Sequence, residues 1–201
     1  MHTRVESLAG GTLLNVVAAR ADLSATFRAV VVLFAAVLTI VAAQVSIPLP
    51  FTPVPFTLQP MVVLLAGAAL GPRLGMTSQL LYLALGLAGL PVFATSPVLP
   101  QGFARLIGPT GGYLMSYPFA AFVAGYFAQR GFDRRYLTSV LAMAAGLSVV
   151  FAFGVAWLAF GLPHVGLSAA IASGLVPFIP ADIIKVMIAA TILPSAWRFL
   201  R

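Results

Sequence analysis

The sequence predicts an all-α, polytopic membrane protein with six transmembrane helices and with both termini in the cytoplasm. The chain has 201 residues, of which 61% are hydrophobic, and it carries only 11 basic and 4 acidic residues. An ordinary soluble domain carries about 25% charged residues. The uncharged stretches on either side of Arg73 are each longer than one spanning helix, which needs about 20 apolar residues. Long apolar stretches separated by basic residues are typical of several membrane spans.

The first span is predicted at 27–46. Residues 1–26 are expected to form a cytoplasmic lead-in, because Glu6 weakens the likeness of this segment to a signal peptide. Residues 27–201 are expected to form a single membrane domain. After the first span, the segment 47–56 contains four prolines, which lack a backbone donor. It is therefore predicted to be an extended, largely apolar loop.

The second span is predicted at 57–70 and the third at 74–90. Between them, Gly71 is expected to end one helix and Pro72 to begin the next. The connection that follows, at 91–109, is long for a compact protein. Long structured connections are usually functional.

The fourth span is predicted at 110–129, the fifth at 137–160 and the sixth at 167–193. Pro177 and Pro180 interrupt the sixth span, so its first half is expected to be bent or broken. A backbone break at membrane depth is tolerated only where protein or a water-filled cavity receives the freed backbone groups. The sequence thus predicts an opening beside this break.

The basic residues between the spans indicate the orientation of the chain. With a cytoplasmic N-terminus nearly all of them face the cytoplasm, as the positive-inside rule requires. The residues on that side are Arg73, Arg130, Arg134, Arg135, Arg198 and Arg201, and only Arg105 lies outside.

One charged pair, Asp182 and Lys185, stands in an otherwise uncharged C-terminal stretch. Residues three apart share one face of a helix, and a charge at the centre of a membrane helix costs roughly 2.5–3.5 kcal/mol. About 24 Å of helix separates Asp182 from Arg198, which places the pair in the outer half of the membrane. The pair is predicted to bind a polar ligand from outside. A structural ion pair within the bundle is the alternative.

Gln59 and Tyr113 are two further candidates for the same cavity. The Gln59 amide, which follows the proline-rich segment, can both donate and accept hydrogen bonds. Tyr113 follows two glycines at the start of the fourth span, and its hydroxyl could reach the same cavity. Each residue also has an ordinary explanation, as a surface amide at a helix start and as an aromatic residue at the membrane interface.

Composition excludes several other functions. The chain has no cysteine, which excludes disulfides and thiol chemistry. Its two histidines have no neighbouring ligands, so no metal centre is expected. Four acidic residues provide no carboxylate pair for acid–base catalysis, and no phosphate-binding loop is present. The net charge of +7 is spread between the spans and forms no nucleic-acid-binding patch.

Six short motifs occur in order along the chain and resemble those of the BioY family. They are PLPFTPVPFTLQ from Pro48, LLAG from Leu64, LGPRLG from Leu70, GLPVF from Gly89, LIGPTGGY from Leu106 and PFIPADIIK from Pro177. The likeness extends over about residues 30–195. Members of the BioY family are biotin-binding S components, the substrate-binding subunits of energy-coupling factor (ECF) transporters.

The resemblance implies an S-component bundle with an outward-facing biotin pocket in the cytoplasmic (inner) membrane of a bacterium. It implies no catalysis and no cofactor, with biotin as the ligand. The resemblance implies that Asp182 and Lys185 contact the ligand. Gln59, Tyr113 and Phe93 are the further candidate contacts. The loop after Phe93 departs from the family pattern, and Gln101 or Ser96 is the candidate there for a polar contact.

The resemblance also implies partner chains, namely a transmembrane T component and two ATPases. Small residues of the first span, Ala25, Ala29 and Ala36, are candidates for the surface that contacts the T component. Packing within the chain is the favoured explanation for the small residues at four-residue spacing in this region, namely Ala25 and Ala29, then Ala35, Thr39 and Ala43. A homo-oligomer that works without ATPases is the alternative assembly.

Three other functions compete with biotin binding. The chain could be an S component for another small vitamin, which ligand competition would show. It could be a small membrane enzyme acting on lipid, with Asp182 and Lys185 as catalytic groups. It could also be a structural membrane subunit, in which removal of these charges would alter assembly alone.

Overall fold

The computed structural model describes residues 12–13, 25–96 and 99–200. Most of the segment 1–26, for which the sequence predicts a cytoplasmic lead-in, lies outside the described residues. Within them the chain forms eight α-helices and one two-stranded sheet, which we number in chain order. The helices are α1 (Ala25–Gln44), α2 (Gln59–Leu70), α3 (Pro72–Leu87), α4 (Phe103–Ile107), α5 (Gly111–Ala128), α6 (Tyr136–Ala156), α7 (Gly166–Gly174) and α8 (Ile179–Leu200), and the strands are β1 (Ser46–Ile47) and β2 (Phe56–Thr57).

Helix α5 lies at the centre of the bundle and packs against α2, α3 and α6. Twelve of its 18 residues are buried. Its small residues Ala120, Ala121 and Ala124 are fully buried, and Gly67 of α2 lies so close that a Cβ there would overlap the backbone of Ala121. Small side chains let membrane helices approach closely, which explains why this helix can occupy the centre.

The junction between α2 and α3 confirms the expected use of glycine and proline. Gly71 has φ = +86°, a conformation that glycine adopts without steric cost. Its N–H donates to the Gly67 carbonyl at 2.8 Å and ends α2. Pro72 is the first residue of α3, where a missing N–H leaves no helical bond unmade.

The proline-rich segment is extended, as predicted, and it also folds back on itself. Ser46 pairs with Thr57 and Ile47 pairs with Phe56 in an antiparallel hairpin. This pairing returns the chain to the start of α2, so that Thr57 lies two residues before the helix begins.

The predicted sixth span at 167–193 is broken as expected: two helices, α7 and α8, occupy it, and α8 continues beyond it to Leu200. The N–H groups of Leu175 and Val176 both donate to the Ile171 carbonyl and close the end of α7. Helix α8 begins at Ile179, with Pro180 in its first turn, where proline is tolerated. The break at the prolines is confirmed, and it places Asp182 in the first turn of α8.

The helical membrane bundle is confirmed. Among the described residues, three helices are long and apolar enough to cross a membrane, namely Ala25–Gln44, Tyr136–Gly161 (α6 with the helical turn that follows it) and Ile179–Phe199, and Gln59–Leu70 is a shorter apolar helix. Helices α3 and α5 occupy the positions of the third and fourth predicted spans. The count of six spans and the cytoplasmic termini stay predictions.

One of the predicted docking residues is wrong. Ala36 is fully buried in the core of the bundle, because α1 packs on α3 through this side. A side chain in that position cannot contact a partner chain. Ala25 and Ala29 are exposed, so their docking role stays a prediction. Of the small residues for which packing within the chain is the favoured explanation, Ala35, Thr39 and Ala43 are buried, whereas Ala25 and Ala29 are exposed.

A buried hydrogen bond ties the last turn of α8 to the turn between α5 and α6. The Trp197 indole N–H donates to Asp133 Oδ2 at 2.6 Å, and the Asp133 side chain is almost completely buried. We expect Trp197→Phe to destabilise the protein by about 1–3 kcal/mol, because it leaves a buried acceptor unsatisfied. Thermal unfolding of the purified protein measures this loss.

A double-mutant cycle with Asp133→Ala, which removes the acceptor, separates this bond from other effects of the substitution. If the bond carries the loss, the effects of the two single variants add up to more than the effect of the double variant. Additivity within about 0.5 kcal/mol would contradict the coupling.

Candidate ligand-binding site

A cavity lies where the break before α8 meets the start of α2, the hairpin and the connection after α3. It encloses about 50 Å³. Its lining combines aromatic, aliphatic and polar side chains from distant parts of the chain: Val54, Pro55, Thr57, Gln59, Pro60, Phe93, Ala94, Arg105, Thr110, Tyr113, Leu114, Tyr117, Val150, Phe151, Phe178, Asp182 and Lys185.

The charged pair predicted from the sequence forms one wall of this cavity. Lys185 Nζ donates to Asp182 Oδ1 at 2.7 Å and to the Thr57 carbonyl at 2.6 Å. The same nitrogen lies 3.6 Å from the centroid of the Phe56 ring. Asp182 is 4% exposed and Lys185 is 7% exposed. The pair therefore joins α8 to the hairpin, and it also faces the cavity, so its structural role does not exclude a role in binding.

The position of Asp182 offsets part of the cost of burying its charge. It stands in the first turn of α8, where the unpaired N–H groups of a helix carry a partial positive charge. Its carboxylate has about four acceptor positions, of which Lys185 occupies one. The remaining positions are chemically suited to the N–H donors of a ligand.

Gln59 is the first residue of α2 and is 3% exposed, so its explanation as a surface amide is wrong. Its Nε2 donates to the Tyr82 hydroxyl at 2.6 Å, and its Oε1 accepts from the Thr57 hydroxyl at 3.3 Å. Tyr82 in turn stacks on the Tyr117 ring at 6.4 Å. The amide is held in one orientation beside the cavity.

Tyr113 is also buried, which rules out the interfacial explanation for it. Its hydroxyl donates to the Gly174 carbonyl at 2.7 Å and ties α5 to the end of α7. A Cβ at Gly154 would overlap the Tyr113 ring, and a Cβ at Gly174 would overlap its hydroxyl oxygen. Tyr113 therefore contributes its ring to the lining, while its hydroxyl is already donating to the protein.

Phe93 lines the cavity, whereas the two polar candidates near it do not. The Phe93 ring is fully buried and meets Tyr82 edge-on, with 5.6 Å between the ring centroids. Gln101 is exposed, and its amide donates to the Phe93 carbonyl at 3.3 Å from outside the lining. Ser96 is half-buried and is also outside the lining. Neither residue lines the cavity, and a contact between either one and a ligand stays a prediction.

Arg105 is the site residue that sequence reasoning missed, because it was interpreted only as a marker of orientation. It belongs to α4 and is 1% exposed. Its Nη2 donates to the Ala94 carbonyl, while Nη1 has no hydrogen-bond partner among the residues that the structure describes. The available signal was its isolation as the single charged residue between Arg73 and Arg130.

The lining carries a net positive charge. Its charged side chains are Asp182, Lys185 and Arg105, and the first two compensate each other. Burial lowers the pKa of the Arg105 guanidinium, but arginine stays protonated in proteins. The cavity therefore suits a small, largely apolar ligand with one negative charge and a polar group that both donates and accepts. No group of side chains in the described part of the chain is suited to a metal ion.

This combination of fold and cavity defines a class of protein, a membrane protein that binds a small solute between its helices. The sequence pattern of the BioY family matches residues 14–201. The chain belongs to the BioY family, which confirms the resemblance seen in its motifs.

Individual relatives agree with this assignment. The chain is 46% identical to a probable biotin transporter BioY of Pyrococcus horikoshii, over 81% of this chain and 90% of the relative. It is 40% identical to a biotin transporter BioY of Thermotoga maritima, over 77% and 86%.

The fold resembles a crystal structure described as the S-component for biotin from an ECF-type ABC transporter. The TM-score is 0.77 at 29% identity, and the match covers 88% of this chain and 95% of that one. The relatives are named as transporters and the structural neighbour as a substrate-binding component. The chain is accordingly a transport protein and not an enzyme, which removes the lipid-enzyme alternative.

The close contact between Gly154 and the Tyr113 ring can be tested by substitution. We expect Gly154→Ala to lower the unfolding temperature, because the added Cβ overlaps the Tyr113 ring and overpacking costs about 1–3 kcal/mol. Gly108→Ala is the matched control, since a Cβ there meets only ordinary contacts. Equal shifts in the two variants, measured by thermal unfolding in detergent, would contradict the close fit of this ring.

Proposed function

We propose that this protein binds biotin from outside the cell and acts as the substrate-binding S component of an ECF-type transporter in the cytoplasmic membrane of a bacterium. The observation that carries the proposal is the buried pair Asp182–Lys185 on the wall of a cavity in a BioY-family bundle. The names of the relatives and of the structural neighbour support biotin as the ligand.

The polar groups of biotin match the hydrogen-bonding positions of Asp182 and Lys185 that the protein leaves unused. Its ureido group has two N–H donors and one carbonyl, and its thiophane ring is apolar. Asp182 retains acceptor positions for an N–H donor. Lys185 has three donors, of which two are used within the protein. The third is suited to the ureido carbonyl.

The biotin carboxylate is better matched by Arg105 than by Lys185. The charge of Lys185 is compensated at 2.7 Å by Asp182, whereas Arg105 has an open Nη1 and faces the same cavity. Hydrogen bonds between guanidinium and carboxylate are stronger than those between neutral groups. We therefore assign Lys185 to the ureido group and Arg105 to the valerate.

Ligand binding requires the cavity to expand. A volume of about 50 Å³ holds a few water molecules, whereas small-molecule sites are commonly about 300–1,000 Å³. Phe93 and Ala94 form one wall, and this wall is held by hydrogen bonds from Gln101 and Arg105 to their carbonyls. We infer that this wall moves outward when biotin binds.

Energy for uptake is proposed to come from partner chains, a T component and two ABC ATPases, because the sequence has no phosphate-binding loop. The exposed Ala25 and Ala29 of α1 remain the candidate docking residues. A homo-oligomer acting alone is the alternative. Biotin uptake by proteoliposomes that contain only this chain would distinguish it from the complete complex.

Calorimetry of the purified protein in nanodiscs tests the ligand and the pair together. We expect biotin to bind, riboflavin and thiamine not to bind, and Asp182→Asn to weaken biotin binding about 10–100-fold, because a charged hydrogen-bond acceptor is lost. Asp133→Asn is the matched control, a buried carboxylate remote from the cavity, and should keep the affinity. An unchanged affinity in Asp182→Asn would exclude this role for the residue, and riboflavin or thiamine binding would favour another vitamin.

The assignment of Arg105 is tested with biotinamide, which lacks the carboxylate charge. The wild type should prefer biotin to biotinamide, and Arg105→Gln should lose about 10–100-fold in biotin affinity while its affinity for biotinamide changes little. Arg73→Gln, at an exposed position, serves as the control for net charge. A preference for biotin that survives in Arg105→Gln would place the carboxylate elsewhere.

A further inference from the structure

A second cavity lies at the far end of α8 from the ligand-binding site. About 24 Å of helix separates Asp182 from Arg198. The cavity encloses about 670 Å³, between the turn that follows α5, the start of α6 and the last turns of α8. We call it the basic cavity, because four arginines line it: Arg130, Arg134, Arg135 and Arg198.

Two of the four arginines in the basic cavity, Arg130 and Arg134, lie over aromatic rings. The Arg130 guanidinium carbon lies 3.3 Å from the centroid of the Tyr126 ring, and Nη1 donates to the Tyr126 carbonyl at 3.0 Å. The Arg134 guanidinium carbon lies 4.9 Å from the centroid of the Trp197 ring. The described lining contains no acidic side chain. The nearby Asp133 is buried and directed at the Trp197 indole. The Asp133 carboxylate attracts Arg134 and offsets part of the positive charge, and the four arginines leave the lining with an excess of positive charge.

The basic cavity stands at a membrane interface. It includes the ends of two helices that are long and apolar enough to span, at Tyr136–Gly161 and Ile179–Phe199. Large apolar side chains on these same helix ends are exposed, with Leu137 at 74%, Leu141 at 61% and Phe199 at 91%. Polar groups at such a level meet lipid headgroups, and exposed apolar groups beside them meet acyl chains.

We propose that the basic cavity binds the phosphate headgroup of an anionic phospholipid. Guanidinium groups match phosphate oxygens in pairs of parallel hydrogen bonds, and a membrane phospholipid presents its phosphate at this level. Thr138 also lines the cavity, and its hydroxyl already donates to the Phe132 carbonyl at 2.7 Å. The positive-inside rule explains why the charge of these residues is positive. It does not explain why they converge on one cavity. This inference goes beyond biotin binding and does not depend on it.

Native mass spectrometry of the full chain, extracted in detergent, tests the proposal with phosphatidylglycerol and phosphatidylcholine as probes. The test variant is Arg135→Gln/Arg198→Gln, since both side chains are exposed. Arg28→Gln/Arg73→Gln is the matched control, with the same change in net charge at exposed positions outside the cavity. We expect the wild type to retain phosphatidylglycerol in preference to phosphatidylcholine. The test variant should weaken this retention by roughly fivefold per arginine removed.

The proposal is supported if the control retains phosphatidylglycerol like the wild type and if Arg135→Lys/Arg198→Lys recovers part of the retention. Equal losses in the test and control variants would overturn it, because only net charge would then matter. If millimolar inorganic phosphate abolishes the preference for phosphatidylglycerol, the cavity binds a free anion. This result would also overturn the proposal. The unfolding temperature of each variant without lipid shows that a loss does not reflect misfolding.

Discussion

The contact between Lys185, Asp182 and the Thr57 carbonyl is the interaction on which the site and much of the fold depend. Two charges removed from water are expensive unless geometry and further hydrogen bonds compensate them. Here compensation needs α8 to begin just before Asp182, which the proline break provides. It also needs the hairpin to bring Thr57 to the same place. The pair therefore couples the ligand site to the relative position of α8 and the hairpin.

Close packing around α5 allows these distant segments to meet. In a bilayer the lipid tails are as apolar as the side chains, so helices associate through close contact and hydrogen bonds. Helix α5 provides both, with small residues against α2 and with the Tyr113 hydroxyl bonded to the Gly174 carbonyl. The rigidity that results explains why the polar groups of the cavity are oriented before a ligand arrives. It also means that the connection after α3 is the part of the wall best able to move.

The two ends of α8 carry sites that differ in how their charges are compensated. At its start a carboxylate and an ammonium compensate each other inside the protein, which leaves Arg105 to attract an anionic group. At its end, four arginines line one cavity, beside apolar side chains exposed on the same helix ends. The first arrangement suits a small ligand that is enclosed by protein. The second suits a ligand anchored in the surrounding membrane.

The sequence by itself determined the membrane class, the family, the pair Asp182–Lys185 and the helix junction at Gly71, because the cost of charge in an apolar stretch and the backbone limits of glycine and proline are local properties. Only the tertiary structure decided that Arg105 enters the cavity, that Gln101 stays outside it and that Ala36 is buried. These outcomes depend on which faces of distant segments meet. Contacts such as that between Lys185 and Thr57 join residues 128 positions apart, and no local pattern specifies them.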